Sequence, residues 1–284
     1  MRLARFEHAG EISTGVVSGD SIIDLAKAGS PVTDMMAIIS GGTAALDTIR
    51  TATASVAPHY KLSDVRLLAP FRPGKYLAIG MNYAKHVEEA ERLGIARPEY
   101  QYWFNKQTTC ISGPYDDIDP GVTEKLDYEV ELGVIIGKAA KGVKAANALS
   151  YIFGYVVAND VSARDWQRHT PTFTIGKSFD THGPIGPWIV TADEIADPQA
   201  LALRCFVNGE LRQESNTENM LFSIAQQIEY LSTAFTLEPG DLIATGTPEG
   251  VGIAMDPPVF LQPGDVVRCE VDGIGAIENV VASG

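Results

Sequence analysis

The sequence predicts a mostly β protein with some α-helix, divided into a small and a larger domain. Its segments of alternating polar and apolar residues are short, and residues that favour turns bound them. Asn208-Gly209, a dipeptide typical of a two-residue hairpin turn, separates two of these segments. Strands do not alternate regularly with helices along the chain, so a parallel α/β architecture is not indicated. The 284 residues suffice for one large domain or for a large and a small one.

The first 70 residues are predicted to form a small α+β accessory domain. Residues 1–25 alternate between polar and apolar positions around two glycine turns, which indicates two or three short antiparallel strands. Residues 32–50 are weakly helical and are interrupted by Gly41-Gly42, and residues 62–68 form a further predicted strand. Pro70 and Pro73-Gly74 then break the pattern. We therefore place the boundary within residues 69–74, with domains at 1–70 and 71–284.

The larger domain is rich in strand patterns and contains two predicted helices. A hairpin is predicted at residues 204–212, and residues 82–93 and 218–235 have the apolar spacing of amphipathic helices. The other predicted strands cover residues 76–79, 154–157, 241–245 and 265–271. The glycine-rich segment 246–252 contains Pro248 and opens no helix, so its pattern is not that of a nucleotide-phosphate loop.

The charge balance limits the partners of the chain. A net charge of −14 disfavours binding to nucleic acids or anionic membranes, although local Lys and Arg can still bind a small anion. The N-terminus lacks the apolar core of a signal peptide, and no run approaches the roughly 18 apolar residues of a membrane span. Cys110, Cys205 and Cys269 are too widely separated for a zinc motif and indicate a reducing compartment. We therefore expect a cytoplasmic protein.

Residues 126–137 are the most informative segment for function. Glu129 and Glu131 stand two residues apart, before the apolar run 134–136. Because side chains alternate along a strand and each residue adds about 3.3 Å, both carboxylates would project from one face, close enough to share a cation. Two such carboxylates would otherwise repel each other and raise a pKa. The alternative is that Asp127, Glu129 and Glu131 form the solvated face of an edge strand.

Asp160 supplies a third carboxylate, close after the predicted strand 154–157. Three carboxylates without cysteine or paired histidine suit a hard cation, which would be Mg²⁺ or Mn²⁺, with Ca²⁺ as a further alternative. Mg²⁺ would keep open positions for water or substrate oxygens. By itself, Asp160 is also typical of a turn or a helix N-cap, and this alternative stays open on the pattern alone.

Five segments together resemble the fumarylacetoacetate hydrolase family. They are Gly-x-Asn-Tyr-x-x-His-x-x-Glu at 80–89, Asp-Tyr-Glu-Val-Glu-Leu at 127–132, Asn-Asp-Val-Ser-Ala-Arg-Asp-Trp-Gln at 159–167, Gly-Lys-Ser-Phe-Asp-Thr at 176–181 and Thr-Gly-Thr-Pro-Glu-Gly-Val-Gly at 245–252. The similarity covers residues 75 to about 280. It implies a mixed β-roll catalytic domain, a homodimer, and a divalent metal held by Glu129, Glu131 and Asp160. The subgroup implied is that of bacterial acylpyruvate and 2,4-diketo-3-deoxy sugar acid hydrolases, some with a small N-terminal domain.

The same resemblance implies roles for further residues. His86 and Glu89 stand three apart on one helical face, and the family pattern makes them the general base of a lid. By spacing alone, a solvated helix face is the simpler interpretation. Lys177 would stabilise a developing enolate or a substrate carboxylate. The residues expected to bind substrate are Arg164, Gln167, Thr247 (through its hydroxyl and backbone) and Lys106.

The resemblance implies a 2-oxo acid substrate and C–C bond hydrolysis. In an acylpyruvate, water activated by His86 and Glu89 would attack the distal carbonyl and release pyruvate and a carboxylic acid, with the metal as Lewis acid. Fumarylpyruvate and 2,4-diketo-3-deoxy sugar acids are both candidates, and Lys85, Glu88 and Gln101 favour a hydroxylated substrate. The enzymatic alternatives are oxaloacetate decarboxylation and isomerisation or decarboxylation of a 2-hydroxydienedioate. The non-enzymatic alternative is an inactive module that binds 2-oxo acids.

Overall fold

The computed structural model describes residues 1–283. The strands are β1 (Arg2–His8), β2 (Glu11–Ser18), β3 (Ser21–Asp24), β4 (Tyr60–Lys61), β5 (Arg66–Leu68), β6 (Tyr76–Gly80), β7 (Tyr102–Lys106), β8 (Ile111–Ser112), β9 (Leu126–Asp127), β10 (Val130–Ile136), β11 (Ile152–Asn159), β12 (Ser162–Ala163), β13 (Gly183–Thr191), β14 (Ala202–Val207), β15 (Glu210–Asn216), β16 (Leu242–Ala244), β17 (Val266–Val271) and β18 (Gly275–Val280). The helices are α1 (Met35–Thr53), α2 (Ala84–Arg92), α3 (Ala145–Ala148), α4 (Arg164–Gln167) and α5 (Ile224–Ala234). The predicted fold class, mostly β with some α, is confirmed.

One mixed sheet of 12 strands joins the first 70 residues to the rest of the chain. Its order is β4-β3-β2-β1-β13-β11-β10-β16-β6-β7, with β5 beside β1 and β8 beside β13. β1 joins β13 through the antiparallel pairs Arg2↔Val190 and Leu3↔Ile189. The predicted boundary at residues 69–74 lies in the link between β5 and β6. The division into two domains stays a prediction.

Both faces of the large sheet are covered by other elements. Strands β14, β15, β17 and β18 form a second sheet, which packs with α5 against one face; Leu132, Val134 and Ile228 belong to this apolar core. Helix α1 covers the opposite face, where Ile38 and Ile135 share a second core. The residues of β10 therefore alternate between two apolar layers, and β10 itself lies inside the sheet between β11 and β16.

The elements of the first 70 residues agree with the predictions at most positions. The strands predicted within residues 1–25 are confirmed as β1, β2 and β3, and the weakly helical segment forms α1. Gly42 has φ +53° and ψ −137° and interrupts that helix, as its glycine pair predicts. The predicted strand 62–68 is wrong in its first half, where Leu62–Asp64 form a 3₁₀ turn. Ser63 and Asp64 favour turns over strands, which explains the difference.

The elements that follow residue 70 also agree with the predictions, with one shifted helix start. Asn208 and Gly209 both have positive φ, +53° and +79°, as a type I′ hairpin turn requires. Helix α5 begins at Ile224 rather than at residue 218. Ser223 and Gln226 form a reciprocal capping box there, which fixes the start of the helix.

Candidate active site and metal centre

Three buried carboxylates converge at the start of β10. Glu129, Glu131 and Asp160 each place one carboxylate oxygen within 4.8 Å of those of the other two. Glu129 is 6% exposed, Glu131 1% and Asp160 0%. Asp127 is also fully buried, at 0%. The interpretation of residues 127–131 as a solvated edge-strand face is therefore wrong, because β10 is an interior strand.

Backbone pairing between β10 and β11 brings the two acidic motifs together. Val130 pairs with Asn159, so Asp160 follows directly beside Glu129. The Asn159 amide oxygen accepts from the Glu129 N–H at 3.0 Å, and the Asp160 N–H donates to the Glu129 carbonyl at 2.9 Å. The Asp160 carboxylate bonds to two lysines and caps no helix in residues 1–283, so the N-cap alternative does not hold.

Three buried cations surround the carboxylates. Lys177 donates to Glu129 Oε2 at 2.7 Å and to Asp160 Oδ2 at 2.8 Å. Arg164 Nη2 lies 2.7 Å from Glu129 Oε1, and Lys106 donates to Asp160 Oδ1 at 2.5 Å. Burial by itself would lower the pKa of Lys177, but the Asp160 and Glu129 carboxylates raise that pKa above its ordinary value. The ammonium of Lys177 is therefore charged at neutral pH.

The cations stabilise the charge of Glu129 but not that of Glu131. Burial opposes ionisation of Glu129, yet the charges of Lys177 and Arg164 hold its pKa at about 2. For Glu131, burial and the charges of Asp160 and Glu129 raise the pKa well above its ordinary value. Within residues 1–283, no Lys, Arg or His nitrogen lies within 4 Å of the Glu131 carboxylate. Glu131 is thus the carboxylate whose charge the protein leaves least compensated.

This charge distribution fits a divalent cation. When all groups are ionised, the four carboxylates including Asp127 face three cations, which leaves one net negative charge. A divalent ion in contact with Glu129, Glu131 and Asp160 would remove the repulsion that raises the Glu131 pKa, and would leave net positive charge for an anionic ligand. All three donors are oxygens, which Mg²⁺ and Mn²⁺ prefer. The donor set therefore suits the predicted metal.

Asp127 is a site residue to which neither spacing nor motif gives a role. Its carboxylate accepts from Arg164 Nε at 2.8 Å, and from the N–H groups of Gly252 at 2.8 Å and Ile253 at 3.1 Å. Asp127 thereby orients Arg164 and fixes the loop that follows the Thr-Gly-Thr-Pro segment. The signal available in the sequence is its place two residues before Glu129, which puts the two on one face of an extended chain.

His86 and Glu89 form a pair on α2. His86 Nδ1 lies 3.2 Å from Glu89 Oε2, and the Gly250 N–H donates to Glu89 Oε1 at 2.9 Å. Both side chains are half-buried and line a cavity, so a solvated helix face does not describe them. When Glu89 accepts from Nδ1–H, the Nε2 atom of His86 is left unprotonated. The pair can then take a proton from a molecule in the cavity.

The loop 245–252 contacts the carboxylates through its backbone. The Gly246 N–H donates to Glu131 Oε2 at 2.7 Å, and its φ of +101° favours glycine. Thr247 lines the cavity, but its hydroxyl donates to the Val130 carbonyl at 2.9 Å and accepts from Gln213 Nε2 at 2.9 Å. The hydroxyl proton is thus used within the protein in this structure, and the predicted contacts of Thr247 with a substrate, through its hydroxyl and its backbone, stay predictions.

The other predicted substrate-binding residues lie in two places. Arg164 and Gln167 line the cavity, and Arg164 Nη1 donates to Gln167 Oε1 at 3.1 Å. Lys106 does not line it; its buried ammonium donates to Asp160 and to the Val161 carbonyl at 3.3 Å. The role of Lys106 in substrate binding stays a prediction, and the side-chain contact that the structure shows is with the Asp160 carboxylate. A buried ammonium must be paired, and Asp160 is its partner.

A cavity of about 510 Å³ adjoins the carboxylates. Its charged and polar wall includes Glu129, Lys177, Arg164, Gln167, Arg168, His86, Glu89 and Thr247. The rest is mainly apolar, with Leu93, Ile95, Tyr102, Phe104, Phe173, Val251 and Ile253 among its residues. Lys85, Glu88 and Gln101 do not line the cavity, so their polarity gives no support to a hydroxylated substrate.

The fold and the site define a class of mixed β proteins with a buried acidic centre that suits a divalent metal. Residues 75–282 match the family model described as Fumarylacetoacetate (FAA) hydrolase C-terminal, and residues 1–70 match the one described as Rv2993c-like, N-terminal. The chain belongs to the fumarylacetoacetate hydrolase family, whose members are enzymes. The family predicted from the motifs, and with it the β-roll fold, is confirmed.

Proteins similar to this chain carry the names of three reactions. Oxaloacetate tautomerase FAHD2B, mitochondrial, from Bos taurus is 44% identical over 291 residues, which cover 99% of this chain and 91% of the relative. The structure of maleylpyruvate hydrolase from Sphingobium sp. SYK-6 in complex with manganese (II) ion and pyruvate has a TM-score of 0.83 at 33% identity and covers 100% of both chains. The structure of 5-carboxymethyl-2-hydroxymuconate delta-isomerase from Mycobacterium smegmatis has a TM-score of 0.78 at 36% identity, again with 100% of both chains covered.

Proposed function

We propose that this chain is a divalent-metal-dependent oxaloacetate tautomerase, which interconverts the enol and keto forms of the acid. The observation that carries the proposal is the 44% identity to a relative of that name across 99% of this chain. The oxaloacetate alternative from the sequence shares the substrate but names decarboxylation, a different reaction. Tautomerisation needs a held 2-oxo acid end and one base that can remove and return a proton at C3.

The metal would be held by Glu129, Glu131 and Asp160. Their three converging oxygens suit Mg²⁺ or Mn²⁺, and the manganese in the related hydrolase structure supports this assignment. When bound, the ion would polarise the 2-oxo group of the substrate as a Lewis acid. Lys177, charged and lining the cavity beside Glu129 and Asp160, would stabilise negative charge that develops on the same oxygen.

The proton transfer would belong to His86. With Nδ1 donating to Glu89, the Nε2 atom would remove a proton from C3 of the keto form, and the imidazolium would then give a proton to the 2-oxo oxygen, which yields the enol. In the opposite direction Nε2 would take the enol hydroxyl proton and return a proton to C3. Gly250 holds Glu89 from the other side, so the imidazole keeps one orientation. Arg164, fixed by Asp127, would orient the acid end of the substrate without taking part in the proton transfer.

A second candidate is C–C bond hydrolysis of an acylpyruvate, the reaction that the sequence motifs imply. The size of the cavity favours it, because about 510 Å³ is in the range that holds ligands larger than a four-carbon acid. The likeness to maleylpyruvate hydrolase supports it as well. The His86–Glu89 pair would then remove a proton from water rather than from C3. Both candidates use the same acid end of the substrate and differ in what the base acts on.

Two assays on the protein loaded with Mg²⁺ or Mn²⁺ separate the candidates. Loss of the ultraviolet absorbance of enol-oxaloacetate reports tautomerisation, and release of pyruvate from acylpyruvates reports hydrolysis. We expect His86→Asn to reduce the active reaction by at least about a hundredfold, since a positioned general base contributes about 10² to 10⁴ in rate. Glu88→Gln, on the exposed side of the same helix, is the matched control and should retain full activity.

Three outcomes would contradict the proposal. Enol decay at the uncatalysed rate, together with pyruvate release from an acylpyruvate, would establish the second candidate instead. Release of pyruvate and CO₂ from oxaloacetate would favour the decarboxylase. Absence of all three activities, with metal bound, would favour a binding module. Full enol conversion by His86→Asn would leave the tautomerase in place and remove His86 as its base.

The assembly and location of the protein are further proposals. We propose a homodimer in the cytoplasm, as the motifs and the dispersed cysteines predict. Within residues 1–283, none of the helices combines the length and the apolarity that a membrane crossing requires. Light scattering of the purified chain would test the dimer, since a monomer mass of 30.5 kDa should appear doubled.

A further inference from the structure

Arg168 differs from the other cations in the wall of the cavity. The cationic groups that line it are Arg164, Arg168 and Lys177. Lys177 is paired with Glu129 and Asp160, and Arg164 is paired with carboxylates as well. In the described chain, no carboxylate oxygen lies within 4 Å of the Arg168 guanidinium, because the ion pairs of residues 1–283 do not include it. Arg168 is exposed, and in the described chain its positive charge at the cavity wall has no ion-pair partner.

The position of Arg168 places this charge away from the metal centre. It directly follows α4, four residues after Arg164, whose guanidinium contacts Glu129. One helical turn of four residues rises about 6 Å, so Arg168 stands about one turn farther along the wall than Arg164. Gln167 and the aromatic rings of Phe173 and Tyr102 line the same cavity. A ligand held by its acid end at the carboxylates could extend along this wall toward Arg168.

The acidic residues nearby are already bonded elsewhere. Asp165, three residues before Arg168, accepts from the Thr123 hydroxyl and from the Glu124 N–H. Glu89, across the cavity on α2, accepts from the Gly250 N–H and pairs with His86. Neither Asp165 nor Glu89 forms an ion pair with Arg168, so its guanidinium is free to bind a carboxylate of the ligand. A guanidinium offers such a group two parallel hydrogen bonds, which a neutral end of the same size cannot accept.

We propose that Arg168 binds the second carboxylate of the substrate and makes the site select 2-oxo diacids over 2-oxo monoacids. The inference rests on the proposed function, in which the 2-oxo acid end binds at Glu129, Glu131 and Asp160. It adds the residue that recognises the end of the substrate far from the metal, and this residue requires that end to be a carboxylate. Arg168 is a specificity-determining residue in this scheme and takes no part in the proton transfer.

Calorimetry on the metal-loaded protein tests this with matched ligands. 2-Oxoglutarate and 2-oxopentanoate have the same carbon chain and differ in the distal carboxylate, as do 2-oxoadipate and 2-oxohexanoate. We expect the wild type to bind the diacid of at least one pair about tenfold to a hundredfold more tightly, which is what hydrogen bonds to a charged group contribute. Arg168→Gln should abolish that preference and leave the Kd of the monoacid unchanged, and Arg168→Lys should retain part of it.

Arg97→Gln is the matched control, because Arg97 is an exposed cation near the same cavity that does not line it. If Arg97→Gln reduces the diacid preference as much as Arg168→Gln does, general charge attraction explains the preference and the inference is wrong. It is also wrong if Arg168→Gln weakens both acids equally, or if the wild type binds both acids of each pair with equal affinity in a metal-dependent way. If the wild type binds none of the acids with metal present, the inference is wrong, whereas the proposed function is decided separately by the enol-oxaloacetate assay.

Discussion

Replacing Glu131 by Gln should change two properties of the protein in opposite directions. In the metal-free protein, Glu131 is buried beside the charges of Asp160 and Glu129, and both effects raise its pKa. Gln has almost the same shape and can still accept from the Gly246 N–H that now donates to Glu131 at 2.7 Å. Glu131→Gln should therefore stabilise the metal-free protein at neutral pH. The same change removes one of three metal ligands and should weaken metal binding.

The magnitude follows from the spacing of the three carboxylates. Two unit charges separated by 4.8 Å, the upper bound for these oxygens, repel by about 3 kcal/mol at an effective dielectric constant of about 20. Lys177 offsets part of this repulsion, since its charge lowers the Glu131 pKa while the two carboxylates raise it. A net stabilisation of about 1 to 3 kcal/mol for Glu131→Gln at pH 7 is consistent with these opposing contributions.

The sign can be tested through pH. The folded pKa of Glu131 lies well above the ordinary value of 4.5, so between these values the folded state binds more protons than the unfolded state. The contribution of Glu131 to the stability of the metal-free wild type is therefore fully present below about pH 4.5 and is lost as pH rises. The slope approaches about 1.4 kcal/mol per pH unit until the folded pKa is passed. Gln does not titrate, so the difference between variant and wild type widens with pH.

Two other groups with shifted pKa values titrate below pH 5 in the folded protein. Glu129 is ionised in both states above pH 5, because Lys177 and Arg164, against the effect of burial, hold its folded pKa at about 2. Burial, together with the charge of Lys106, lowers the pKa of His182 to about 4. That shift makes stability increase with pH between about 4 and 6.5, but it does so in both proteins and cancels in the comparison.

Urea unfolding at pH 5, 6, 7 and 8, in EDTA and then in saturating Mg²⁺, measures both effects. We expect the free energies of unfolding of wild type and Glu131→Gln to diverge with pH in EDTA. In Mg²⁺ the wild type should gain stability by ligand linkage, and the variant should gain much less. Glu124→Gln, which changes an exposed carboxylate, should behave as wild type. Parallel pH curves in EDTA, or an equal gain from Mg²⁺, would refute the assignment of Glu131 as an uncompensated metal ligand.

Two further predictions concern residues that position the site. Asp127→Asn leaves the Arg164 guanidinium with one carboxylate and disturbs the bonds to the loop at Gly252. The free energy of unfolding, measured with denaturant, should therefore fall by about 3 to 5 kcal/mol. The exposed Asp117→Asn is the control, and equal stability of the two variants would contradict the role of Asp127. Gly176→Ala would place a Cβ 2.2 Å from the Gln167 backbone nitrogen, so we expect the free energy of unfolding to fall by about 1 to 3 kcal/mol. Activity should also weaken, because the next residue is Lys177, the charged lysine of the site. If the variant keeps the activity and melting temperature of the wild type, the backbone adapts to the added methyl group.

Much of the fold and the outline of the site could be predicted because they depend on local patterns. Period-two spacing put Glu129 and Glu131 on the same face of one extended segment, and the structure brings them to Asp160. The Asn208-Gly209 turn needs no information from elsewhere in the chain, since two positive φ values define it. The order of the five motifs likewise identified the family, and the family models agree.

Other features could not be predicted because they depend on packing. Lys106 has the residue type of a substrate ligand, but its surroundings bury it against Asp160. The Thr247 hydroxyl is taken by Val130 and Gln213, which lie far from it in the sequence. The strand predicted from residue 62 does not form at its start, because residues that favour turns adopt a 3₁₀ turn there, before β5.

By itself, the sequence determined which chemical groups stand at which spacing, and hence the family, the acidic motif and the lid pair. The tertiary structure alone decided which of these charged groups have an oppositely charged partner. Lys177 and Glu129 are 48 residues apart, and Arg164 and Asp127 are 37 apart, yet each pair is buried in direct contact. The strength of such a contact depends on burial and on every neighbouring charge. For this reason the sequence shows three carboxylates. Only the structure shows that, among residues 1–283, Glu131 is the one with no cation beside it and Arg168 is the cation of the cavity wall with no carboxylate beside it.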